Sequence, residues 1–228
     1  MDSSLCKKIS YADSLGFRTE VTSNASLMTE TLAERLISSG LQYLRFSIYG
    51  LDPEELREYT GRTIDPSDIL RKVALFWNVR RRMNCENPMI HIEALDGQEA
   101  RVGEFYRQYC DSLSATLRHN WGIFPAKNGH KKVCPMPFYS LQVTWTGDVL
   151  PCCIDTQNIT GNLLRQSLKE VWEGNEFKTI RKMHLSGLRS FLTTCDKCNY
   201  IDSTSDDLDD KMTRLGNCGR SIVPDLQL

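Results

Sequence analysis

No run of about eighteen apolar residues occurs anywhere in the 228-residue chain, so it offers nothing of the length of a membrane-spanning helix. Neither charge is in excess: 28 Lys and Arg stand against 29 Asp and Glu, for a formal net charge of -1. The basic surplus of a nucleic-acid binder is missing, and neither nucleic acid nor membrane is the expected partner. The opening residues, MDSSLCKKISYADSLG, lack the charged-then-apolar order of a secretory signal, which predicts a soluble, cytoplasmic protein. What the chain does have is cysteine, nine in all. A reducing cytosol argues against structural disulfides, so their spacing must choose between metal binding, catalysis and buried thiols.

Hydrophobic residues make up 40% of the chain, enough for a real core. The first half alternates helix and strand signals. Leu5, Ile9, Ala12 and Leu15 recur at helical spacing before Gly16, and FRTEVTSN then reads as a strand. Thr29 caps a helix with the stripe Leu32, Ala33, Leu36 and Ile37, and LQYLRFSIYG is the next strand. Asp52 followed by Pro53, Glu54 and Glu55 starts another helix, and a longer one is expected from Pro66 to Arg82. PMIHIEAL is a third strand, QEARVGEFYRQYCDSL a helix, and ATLRH at residues 115–119 a fourth strand. This alternation predicts an α/β fold with a parallel sheet.

Residues 121–132, WGIFPAKNGHKK, have no periodicity and set a domain boundary. The expected organisation is a β/α unit over residues 1–122, a second unit over 123–205 and a tail over 206–228. The second unit opens with CPMPFYSLQVTWTGDVLPCC, which reads as a β-hairpin with Tyr139, Leu141, Val143 and Trp145 on one face and its turn at Thr146, Gly147 and Asp148. Ser167 and Glu170 form a capping box, and two short helices are expected to break at Gly174 and Asn175.

Four cysteines flank these elements: Cys134 and Cys152 at the ends of the hairpin, then Cys195 and Cys198 as a C-x2-C pair. Together they make a four-thiolate site for zinc or an iron-sulfur cluster. A zinc ribbon has two C-x2-C knuckles and this chain one, which tilts the choice toward a cluster. In a straight hairpin Cys152 falls beside residues 141 to 142 and Cys134 stands about 23 Å further along, so the segment with Pro135 and Pro137 must bend back. Cys153 points away from Cys152 in an extended chain, and Cys152 is chosen as the ligand. Cys6, Cys85 and Cys110 have no partner spacing and receive no role, nor do the four histidines, His91, His119, His130 and His184.

The run from Cys134, with its C-P-x-P, G-D-V-x-P-C-C, Gly161-Asn162, SLKEVW and closing C-x2-C marks, resembles the SPASM or shorter twitch extension of radical S-adenosylmethionine enzymes. The resemblance implies that Cys134, Cys152, Cys195 and Cys198 ligate one auxiliary [4Fe-4S] cluster. NYIDSTSDD follows in place of the further cysteines of a full SPASM domain, with only Cys218 remaining, which fits one twitch-type cluster. The front half is similar to the middle and later units of the family's (β/α) barrel. The implied fold is thus an incomplete radical-SAM barrel followed by a small α+β SPASM/twitch domain. Thr22, Ser23 and Ser47, at carboxyl ends of strands, would touch S-adenosylmethionine, while Tyr49 replaces the family's Asp. Serines there also serve as turn formers.

The family's C-x3-C-x2-C loop does not occur in this sequence. The chain would then not perform radical chemistry alone. A partner chain or an absent N-terminal segment would supply the catalytic cluster, and the sheet would expose an unpaired edge and an apolar face. The expected function in an intact form is hydrogen abstraction by a 5′-deoxyadenosyl radical from a small-molecule or peptide substrate. The other class is a noncatalytic binding module stabilised by the cluster or by zinc. Trp145, Trp172 and nearby backbone amides are the expected sources of burial and hydrogen bonds around the sulfurs.

Overall fold

The computed structural model describes residues 2–116, 133–198 and 200, and the chain divides into two compact units, Met1–Arg118 and His119–Leu228. The expected boundary at 121–132, the tail, His119, His130 and Cys218 lie outside the described residues.

In the front unit, α1 (Leu5–Ser14) precedes β1 (Glu20–Ser23), and α2 (Glu30–Ser38) connects β1 to β2 (Tyr43–Ile48). Two helices, α3 (Pro53–Thr60) and α4 (Pro66–Arg82), lead to β3 (Met89–Leu95), and α5 (Glu99–Tyr106) with a short 3-10 turn leads to β4 (Ser112–Thr116). The strands are all parallel and lie in the order β1-β2-β3-β4, the sequential arrangement of a barrel wall. Local chemistry starts the helices as read. The Thr29 side chain accepts from Leu32 N–H, and the Asp52 carboxylate accepts from Glu54 and Glu55 N–H ahead of Pro53.

Register separates the two faces of the sheet. Leu44, Phe46, Ile48, Ile90, Ile92 and Ala94 alternate onto one face and are buried with Leu32 and Leu36 of α2, Val73 and Phe76 of α4, and Val102 of α5. Phe46 and Phe76 meet edge to face with centroids 5.9 Å apart. The other face is polar, contrary to the apolar face expected. Thr22, Arg45, His91 and Ser112 form one row across all four strands, and Ser47, Glu93 and Ser114 the next. Arg45 bridges Glu20 at 2.8 Å and Glu93 at 2.9 Å, while His91 bonds Ser112 Oγ at 2.8 Å and Ser114 Oγ at 3.0 Å. Cross-strand pairing of this kind lets a polar sheet face satisfy itself.

Two boundaries differ from expectation. The fourth strand begins at Ser112 rather than residue 115, and the helix expected to run through residue 113 ends at Tyr106. The reason is tertiary. The Asp111 carboxylate accepts from Ile90 N–H at 2.7 Å and takes a two-pronged bond from Arg80, at 2.5 and 3.0 Å, which draws this segment into the sheet.

The second unit starts with a single helical turn, α6 (Met136–Tyr139), then β5 (Gln142–Val143) and β6 (Asp148–Leu150), joined by β7 (Gly161–Asn162) in an antiparallel sheet of order β5-β6-β7. It continues with α7 (Leu168–Trp172), α8 (Asn175–Leu185), a 3-10 turn at Arg189–Phe191 and α9 (Thr193–Lys197). The capping box is present, with Ser167 and Glu170 bonded reciprocally, and Gly174 separates α7 from α8.

The hairpin is shorter than expected. Tyr139 is in α6, and Trp145, which was to share an inner face with Leu141, is 97% exposed in the turn. Val143 pairs with Val149 and Gln142 with Leu150, so the partners on the first strand lie one or two residues farther from the turn than in the expected register. The motif Gly147-Asp148 with Gly161-Asn162 now has a physical meaning. Gly147 has φ +84°, and Asn162 Nδ2 donates to Asp148 Oδ1 at 2.8 Å and to Thr146 O at 3.2 Å. A Cβ on Gly161 would lie 2.7 Å from Val171 Cγ2, so only glycine lets β7 approach α7.

Candidate metal centre

The four cysteines arrive from three places: Cys134 just before α6, Cys152 just after β6, and Cys195 and Cys198 in and at the end of α9. All four line one small, enclosed and almost wholly apolar cavity, together with Met136, Ile154 and His184. The turn of helix at Met136–Tyr139 resolves the length problem posed by a straight hairpin. Pro135 and Pro137 sit at its start, where a missing N–H costs nothing, and helix rises about 1.5 Å per residue against about 3.3 Å for strand. Cys153 is exposed and does not line the cavity.

One side chain ties the two halves of the set together. Asp155, 1% exposed, accepts from Gln157 and Asn158 N–H at 2.9 and 3.0 Å and from Asn158 Nδ2 at 2.7 Å, which fixes the loop after Cys152. The same carboxylate takes the Thr194 hydroxyl at 3.2 Å, next to Cys195. Arg181 does a similar service for α6. Its Nε donates to Pro137 O at 2.9 Å, Nη1 donates to Trp172 O at 2.8 Å, and the guanidinium stacks on Trp172 and Phe177. Both were passed over in the sequence. An Asp before Thr-Gln-Asn carries the signature of a side-chain-capped turn, whereas nothing local marks Arg181.

The donor chemistry suits a metal group. Burial pushes the Cys152 thiol up to about 12, opposed by N–H bonds from Ile154 and Asp155 and reinforced by Asp155 and Cys134. Burial likewise raises Cys195, as do Asp155 and the neighbouring cysteines. Four sulfurs in an apolar cavity ionise only when a cation shares the site, and a bound metal inverts this balance. Backbone N–H groups already point at sulfur, from Ile154 and Asp155 to Cys152 and from Tyr200 to Cys198 at 3.4 Å. Among the described residues no group of three or more His, Cys, Asp or Glu side chains is arranged to hold a single metal ion. Tetrahedral zinc would require sulfurs roughly 3.8 Å apart.

Trp145 and Trp172 do not supply the surroundings expected of them. Trp145 is in solvent, and Trp172 packs against Phe177 at 5.1 Å outside the cavity. His184, given no role in the sequence, is fully buried in the cavity wall, and its Nδ1 accepts from Cys134 N–H at 3.3 Å. Burial, and secondarily Arg189, pull its pKa down to about 4.

In the front unit, Thr22, Ser23, Ser47 and Tyr49 line a second cavity of about 520 Å³ at the end of β1 and β2. Thr22 and Ser47 belong to the polar face of the sheet, but Ser23 pairs with Phe46 on the opposite face. Its hydroxyl accepts from Ala25 N–H at 3.1 Å, the turn-forming use of serine.

Residues 134–199 match the family model of SPASM, described as an iron-sulfur cluster-binding domain. The chain is 30% identical over 98 residues to the S-adenosyl-L-methionine-dependent 2-deoxy-scyllo-inosamine dehydrogenase of Niallia circulans, across 41% of this chain and 39% of that protein. Residues 134–199 thus carry the SPASM match, and the chain spans about two fifths of the length of this relative. Its fold is that of BtrN in complex with AdoMet and 2-DOIA, with TM-score 0.52 and 18% identity over 86% of this chain and 67% of the other. Streptococcus suis SuiB bound to precursor peptide SuiA superposes with TM-score 0.58 and 15% identity over 86% of this chain and 56% of that one. The front unit accordingly has the fold of an incomplete β/α barrel, as in these structures, and the SPASM match falls in the second unit. No helix among the described residues is long and apolar enough to cross a membrane.

Proposed function

We propose that Cys134, Cys152, Cys195 and Cys198 hold one auxiliary [4Fe-4S] cluster, and that the chain contributes a barrel wall and this cluster to an enzyme that oxidises a small molecule by radical hydrogen abstraction. The observation that carries the reading is the convergence of four cysteines from three segments on one apolar cavity, with N–H groups aimed at the sulfurs. A single C-x2-C pair, where a zinc ribbon has two, supports a cluster over zinc. When bound, the cluster would take up one electron at a time.

The polar face of the front sheet, with Thr22 and Ser47 beside Tyr49, would lie toward S-adenosylmethionine and substrate. Ser23 would act there through its turn. A small polar substrate is favoured over a peptide because the curated relative is named for an inosamine. The cluster that generates the radical would come from residues outside this sequence or from a partner chain, in the cytoplasm.

The test is iron, sulfide and zinc content after reconstitution without oxygen, beside a Cys195→Ala/Cys198→Ala variant. About four irons per chain with a broad brown absorption, lost in the variant, is the expected result. One zinc and no iron would sink the reading and leave a metal-stabilised binding module.

A further inference from the structure

Two buried polar side chains in the wall of the cysteine cavity have bonding capacity to spare. His184 is 0% exposed, and because its Nδ1 accepts from Cys134 N–H, the proton of the neutral ring sits on Nε2. That N–H is buried and has no hydrogen-bond partner among the described residues. Arg189 is 9% exposed, lines the same cavity and forms no ion pair among the described residues. An unmet donor is costly away from water, and native structures rarely leave one without a reason. Both border the cavity lined by the sulfurs of Cys134, Cys152, Cys195 and Cys198. One anionic, sulfur-bearing group in the cavity would satisfy them together.

We propose that His184 Nε2–H donates a hydrogen bond to sulfur of the group held by the four cysteines, that Arg189 offsets its negative charge, and that the pair raises its reduction potential. This rests on the cluster reading above. The sign follows from electrostatics: reduction adds negative charge, and a donor and a cation favour the more negative state. Both are positioning residues and touch no substrate. His184 also couples the centre to the backbone of Cys134, so the ring is held from one nitrogen while the other serves the cavity.

The experiment is a redox titration followed by electron paramagnetic resonance on the full chain, reconstituted with iron and sulfide, in wild type, His184→Phe, His184→Gln and Arg189→Met. Iron content is measured on every sample. The expected result is wild-type iron throughout, with His184→Phe and Arg189→Met each lowering the reduced-to-oxidised ratio about tenfold at a fixed potential, a shift of about 59 mV for one electron. His184→Gln keeps an acceptor and a donor and is expected to stay near wild type. Should His184→Phe lose the cluster, Arg189→Met decides the matter. Full iron with an unmoved potential in Arg189→Met, and in His184→Phe where it keeps the cluster, overturns the inference. A wild-type chain that binds no iron overturns the cluster reading itself, a result distinguishable from the first.

Discussion

Leu44, Phe46, Val73, Phe76, Ile90 and Ile92 are all wholly buried in the front unit, whereas the buried apolar cluster of the second unit consists of Val149, Val171 and Phe177. The second unit instead buries Asp155, Arg181, His184, Arg189 and Thr194. A sheet covered by amphipathic helices can rely on apolar area, while a short three-stranded ribbon with one-turn helices has too little of it. The second unit therefore joins its segments by polar bonds between named side chains, and these converge on the cysteines. Ligation would then be folding energy there and irrelevant in front.

Removing ligands should separate the two units most sharply. Cys152→Ala/Cys195→Ala is expected to abolish protection from hydrogen exchange in residues 134–198, because ligation in small metal-dependent domains is worth on the order of 10 kcal/mol. Amides of β2 and β3 should keep their protection. Conversely, Phe76→Ala should cost the front unit about 3–5 kcal/mol through the cavity it leaves, with iron content unchanged. Equal loss in both units from either change would erase the distinction.

A subtler division lies within the second unit, between the four cysteines and what brings them together. Asp155→Ala leaves every cysteine in place but strands the Thr194 hydroxyl and the N–H groups of Gln157 and Asn158. The cost expected is about 3 kcal/mol, seen as a lower melting temperature of the reconstituted protein and faster loss of iron to a chelator. Asp155→Asn, which keeps an acceptor, should recover part of it. Chelation at the wild-type rate in the Ala variant would show that the loop and α9 meet without this bond.

Local signals made much of the molecule readable. Thr29, Asp52 with Pro53, and Ser167 with Glu170 announce helix starts because a cap depends on neighbours within three or four residues. What escaped was nonlocal. Ser112–Thr116 has little β-branched or aromatic content, and two of its serines bond His91 from 21 and 23 residues away. Pro135 and Pro137 were read as a bend in a strand, yet proline equally suits the first turn of a helix, and that turn is what brings Cys134 toward Cys152. The partner of His184 is the amide of Cys134, 50 residues earlier, so no window of sequence could have exposed it. The four cysteines that meet at one cavity were legible because their spacing is written in the chain, and their supporting side chains were not because support is geometry.

The smallest effect expected belongs to the front unit and carries a pH signature. Burial disfavours the charge of Asp111, but the Arg80 bond, Ile90 N–H and the Arg80 charge together outweigh it and hold its carboxyl below the usual range. The folded state therefore binds this proton less readily than the unfolded chain. Its contribution is fully present above the unfolded carboxylate value of about 3.9 and is lost as pH falls through the folded value. Asp111→Asn still accepts from Ile90 N–H but gives up the charge facing Arg80, for an expected cost of about 2 kcal/mol at pH 7. In urea titrations the gap between wild type and variant should be constant from pH 7 down to about 5 and shrink on further acidification. The second unit, whose buried Asp155 is untouched, should respond identically in both proteins. A gap that stayed constant to pH 2 would mean that Asp111 acts by shape and not by charge, and the front unit would then owe its order to packing alone.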